Sequence, residues 1–137
     1  MTHLELTDLL EMLALRAGAA SFWHGKQTEA DINYDAKFPQ AHLFLMPSQL
    51  KAGNVTTQVA MAFYGHDNHE NGSQDSIKIQ NEMDLLTQQF AALLEATPSI
   101  DVVDELINRS PVLRKGSGVG TGYFISFTLA HIGINAC

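Results

Sequence analysis

Leucines at positions 6, 9, 10 and 13 recur at the three- and four-residue spacing of one helix face, so the pattern predicts a helix over residues 3–17. Thr2 and Glu5 have the S/T-x-x-E form of a capping box, and Gly18 stands where a helix C-terminus favours glycine. Next come A-S-F-W-H-G (19–25) and A-D-I-N-Y (30–34), then the near-continuous apolar run A-H-L-F-L-M (41–46), closed by Pro47. Lack of alternation in that run predicts a strand buried on both faces. S-Q-L-K-A-G-N reads as a connection. Beyond it, Val55 to Tyr64 alternates, with Val55, Thr57, Val59, Met61 and Phe63 on one side and Thr56, Gln58, Ala60, Ala62 and Tyr64 on the other. That period of two predicts a strand.

The stretch 65–75, G-H-D-N-H-E-N-G-S-Q-D, is polar and turn-rich, and predicts a solvated loop. Ile79, Met83, Leu86, Phe90 and Leu93 then mark one stripe of an amphipathic helix from Ser76 to Glu95, which Thr97-Pro98 ends. Two strand-like runs follow, Ile100 to Arg109 and Tyr123 to Leu129, with K-G-S-G-V-G-T-G before the second. The first also permits a short helix, and as a strand it carries an irregularity. Its neighbour Y-F-I-S-F-T-L, rich in β-formers, favours strand. The expected fold is α+β, with two main helices packed on one face of a mixed, mostly antiparallel sheet, and one domain spanning residues 1–137.

Composition narrows the functional classes. Eight basic against fifteen acidic residues give a net charge of −7, against the phosphate-neutralising surface that nucleic-acid binders need. The single cysteine, Cys137, cannot form an intramolecular disulfide, which fits a reducing compartment. No stretch approaches a membrane span, and the start lacks the form of a signal peptide, so a cytoplasmic, non-membrane protein is expected.

His66, Asp67, His69 and Glu70 are the best metal candidates, because imidazole and carboxylate are ordinary ligands. A small metal-dependent hydrolase using His66 and His69 is therefore the alternative function. H-D-N-H is no recognised site spacing, however, so no metal is expected. G-S-G-V-G-T-G lacks the closing G-K-[ST] of a phosphate loop and precedes a strand, which makes it a hairpin connection. Asp101, Asp104 and Glu105 read as an exposed acidic edge. His24, His42 and His131 have no nucleophile at a telling spacing, and Ser21, Ser126 and Cys137 lack triad context. No catalytic residue and no cofactor are assigned.

The ordered features resemble a known family. The N-terminal helix, F-W-H-G, a strand ending at M-P, the alternating strand into Y-G-H-D, the N-E-M-D-L-L-T-Q-Q-F helix, S-P-V-L-R and G-Y-F-I-S-F-T-L are together similar to small tail-terminator or tail-completion proteins of tailed bacteriophages. The resemblance covers nearly the whole chain and rests on element order and the closing strand. It implies a structural virion protein, not an enzyme, that forms a homo-oligomeric ring, often hexameric, at the head-proximal end of the tail tube. Such a ring ends tube polymerisation and joins tail to head. Its partners would be the tail-tube protein and a neck or connector protein, with DNA passing through without specific binding. Its location would be the host cytoplasm during assembly and then the virion. Interface candidates are the aromatics Phe22, Trp23 and Tyr64, and His66, Asp67, Gly118 and Gly120 in the two polar loops.

Overall fold

The computed structural model describes residues 2–25, 37–44, 47–67, 73–103, 106–114 and 120–132. Helix α1 (His3–Ala17) starts at the expected cap: the Glu5 N–H donates to Thr2 Oγ1 at 3.2 Å, and the Thr2 hydroxyl donates to Glu5 Oε1. Gly18, at φ 129°, ends it and donates its N–H to the Leu15 carbonyl. Strands β1 (Ser21–Gly25), β2 (Gln40–Phe44), β3 (Ser48–Lys51) and β4 (Asn54–His66) precede helix α2 (Ser73–Glu95). Strands β5 (Asp101–Val102), β6 (Asn108–Arg114) and β7 (Gly120–Ile132) complete the order.

The protein is α+β with one seven-stranded mixed sheet. β1 runs parallel to β2, and the other described pairings are antiparallel. Its spine is the pair β4–β7, continuous from Asn54↔Ile132 to His66↔Gly120. β2 lies beside the second half of β4 and β3 beside the first, while β6 and β5 divide the far side of β7 in the same way.

One apolar cluster joins Leu6, Leu10 and Leu13 of α1 and Met83, Phe90 and Leu94 of α2 to Val59, Met61 and Phe63 of β4 and Phe127 and Leu129 of β7. The Phe90 ring lies 5.2 Å from Phe63 and 6.2 Å from Phe127. Side chains of this size each contribute about 1.5–3 kcal/mol on burial. The alternation along β4 is as the pattern predicts, but its other side is not simply solvated. Ala60, Ala62 and Tyr64 form a second buried cluster with Phe44, against which Trp23, Phe38, Val112 and Phe124 pack.

Three elements differ from expectation. α2 begins three residues earlier than Ser76, at Ser73. S-Q-L-K is strand β3, and Ala52 and Gly53 supply the two successive positive φ angles, 52° and 83°, of a two-residue hairpin turn. A polar four-residue strand, wholly exposed, carries no periodic signal. Residues 100–109 are not one strand. From Val102↔Leu129 to Asn108↔Ser126, β7 advances three residues while the facing chain advances six, so the chain between β5 and β6 is three residues longer than the stretch of β7 it faces. Of the other predicted runs, A-D-I-N-Y and Leu45-Met46 lie outside the described residues.

Candidate functional site

Asp67 directly follows β4 and is fully buried. Its Oδ2 accepts hydrogen bonds from the hydroxyls of Ser76, in the first turns of α2, and Thr121, at the start of β7, both at 2.6 Å. Ser76 and Thr121 are buried too. One carboxylate oxygen thus ties three chain segments together at one end of the sheet. The glycines nearby permit two close approaches: a Cβ on Gly65 would lie 2.6 Å from Ile79 of α2, and one on Gly122 only 1.8 Å from the Phe63 carbonyl oxygen of β4. Ser76 resembles a nucleophile only in name, because its hydroxyl is enclosed and directed at a carboxylate.

A second polar group sits within the second apolar cluster. The buried His42 ring lies 5.5 Å from Trp23 and, edge to face, 5.2 Å from Tyr64, and its Nε2 is 3.1 Å from Gln40 Oε1. Trp23 also meets Phe44, and Phe44 stacks on Phe124. Burial pushes the Tyr64 hydroxyl up to about 12, so it stays protonated at any physiological pH.

On the other side of the sheet, Arg109 of β6 reaches α2. Its guanidinium pairs with Asp84, donates to Thr87 Oγ1 at 3.1 Å and lies 4.9 Å over the Tyr123 ring. The Arg109 hydrogen bond to Asp84, joined by one from Gln88, holds the Asp84 carboxyl below the usual carboxylate range. His24 stands beside His3, ring centres 5.7 Å apart, and its pKa is lowered by burial and then by the charge of His3. Beside the chain between β5 and β6, an open groove of about 410 Å³ is lined mainly by uncharged polar groups, including Gln58, Asn108, Ser126 and Thr128.

The residues singled out from sequence scatter. Tyr64 and Asp67 are buried within the chain: Tyr64 falls on the side of β4 that packs the second cluster, and Asp67 is engaged by two hydroxyls. The solvated-loop expectation for 65–75 therefore fails at Asp67, although His66 is exposed, with its ring 5.1 Å from Phe38. Phe22 is half-buried against the first cluster and Trp23 against the second, so neighbours in sequence serve different sides of the sheet. Gly120 is buried opposite His66, while Gly118, His69, Glu70, Asp104 and Glu105 lie outside the described residues. Among the described residues, no three His, Cys, Asp or Glu side chains gather where they could hold a metal. Sequence reasoning missed the Asp67–Ser76–Thr121 and Arg109–Asp84–Thr87 groups, whose members are distant along the chain and carry no local signature.

No described helix is long and apolar enough to cross a membrane. No protein-family model matches the chain, and no characterised protein matches it significantly.

Proposed function

We propose that this chain is a structural assembly protein: a homo-oligomeric ring, hexameric in the form its resemblance implies, at the head-proximal end of a phage tail tube. In this reading it ends tube polymerisation and joins the tail to a neck or connector protein. DNA passes through without being gripped. Helices α1 and α2 share the first apolar cluster with the sheet, and the contacts between copies are assigned in this reading to the exposed strands.

The observation that carries the reading is the placement of exposed apolar side chains. Leu50, Val103, Leu106 and Ile132 are 74%, 56%, 76% and 70% exposed. Leu50 and Ile132 stand at the end of the sheet where β4 begins and β7 closes, Leu50 pairing with Val55 beside the Asn54↔Ile132 pair, while Val103, whose N–H bonds the Thr128 carbonyl, and Leu106, two residues before the Asn108↔Ser126 pair, lie along the far edge of β7. Exposed apolar side chains at the end and along the edge of a sheet suit the docking of another protein.

The test is to add purified protein to polymerising tail-tube subunits. Light scattering and electron microscopy are expected to show rings and tubes capped at one end, and Leu50→Asp to abolish capping. A protein that stays monomeric beside tube ends and leaves tube length unchanged would overturn the proposal.

A further inference from the structure

The outer surface of α1 carries a second contact pattern, separate from the exposed apolar side chains of the sheet and not needed for a ring. Asp8, Met12 and Arg16 are spaced by four, so they form one stripe along the helix. All three are exposed, Met12 by 40%, and beside them Leu15 is 45% exposed. With Glu11 they line an open groove of about 420 Å³. Leu6, Leu10, Leu13 and Ala14, on the opposite side of α1, are the residues its own core uses.

The charges are arranged for a partner. Arg16 has Leu13 and Met12 at the i−3 and i−4 positions, where an acidic partner on its own helix would stand, and Asp8 has Glu11 and Met12 at i+3 and i+4. Neither helical neighbour position supplies an opposite charge. An acid thus stands one turn before the apolar centre and a base one turn after it. A helix so patterned is complementary to itself when reversed: with Met12 of one copy against Met12 of the other, Asp8 falls opposite Arg16 at both ends and the two Leu15 side chains flank the centre.

We propose that α1 is a self-association surface, pairing antiparallel with α1 of a second copy about a two-fold axis at Met12. Such a contact is isologous, the same patch serving both copies, unlike the heterologous contact that closes a ring. α1 has 15 residues and so is about 22 Å long. A single helix pair of that length buries less than the roughly 1,600 Å² of a standard interface, so association is weak and concentration-dependent.

The test is sedimentation of the full chain over a concentration series, with charge reversals in α1. Wild type is expected to move from monomer to dimer. Arg16→Asp and Asp8→Arg are each expected to weaken association roughly tenfold or more, because each places like charges face to face. The double variant Asp8→Arg with Arg16→Asp regenerates both pairs and is expected to return to within roughly threefold of wild type. Circular dichroism of each variant confirms that it folds. A wild type that never leaves the monomer, single variants that associate unchanged, or a double variant no better than either single one would each overturn the proposal. Tube capping by the single variants reports on the ring separately, so failure of one idea leaves the other standing.

Discussion

At the scale of single residues, buried polar groups decide the most. Asp67 accepts from two buried hydroxyls, and removing it leaves both donors without that acceptor. Each hydrogen bond to a charged acceptor is worth about 1.5–3 kcal/mol, offset in part by the relieved burial of the carboxylate, so Asp67→Ala is expected to lower unfolding stability in urea by about 2–4 kcal/mol, and Asp67→Asn by less, since an acceptor remains. Tyr64 acts through its proton. Its folded-state pKa is raised from 10.0 to about 12 by burial, so the folded protein keeps a proton that the unfolded chain releases. Its stabilising contribution is complete below pH 10 and is lost as pH rises from 10 to about 12. The expected loss is about 2–3 kcal/mol, from roughly 1.4 kcal/mol per pKa unit. Denaturation curves across that window should fall for wild type and flatten for Tyr64→Phe.

At the scale of elements, the central question is what holds α2 to the sheet. Its apolar stripe does most of this, with Met83, Phe90 and Leu94 in the first cluster, and Arg109 adds a polar tether from β6 to Asp84 and Thr87. The Asp84 carboxyl is held low by the Arg109 hydrogen bond, so the contribution is complete above its ordinary value of 3.8 and is lost as pH falls below 3.8 through the lowered folded-state value. Side-chain exposures of 35% and 27% keep the pair partly screened by solvent, and its worth is at most about 1 kcal/mol. Arg109→Leu is therefore expected to lessen the acid-side fall in stability while changing neutral-pH stability little. Thermal unfolding at stepped pH measures both.

At the scale of the whole molecule, net charge points away from nucleic-acid affinity. With eight basic and fifteen acidic residues, the chain is expected not to retain a short DNA duplex at physiological salt. A mobility-shift titration checks this, and salt-sensitive binding would show a local basic surface that the total conceals. The exposed apolar side chains of the sheet and the α1 stripe are two distinct surfaces on one chain, the first assigned to the proposed ring and the second to the proposed pairing of copies.

What the sequence determined by itself was local, although not every local feature: the β3 hairpin and the first turn of α2 left no readable pattern. Thr2, Glu5 and Gly18 mark the ends of α1 because caps are made by residues within a turn of each other, and the alternation through Val59, Met61 and Phe63 separates the two sides of β4 because strand side chains alternate whatever they pack against. The closing β-former run became β7, although its length to 13 residues did not show in that run. Only the tertiary structure decided that Asp67 is interior, that Tyr64 belongs to a second cluster and that Arg109 reaches Asp84. Each depends on chain segments that meet in space, and no local pattern of burial or charge records which distant segment will arrive.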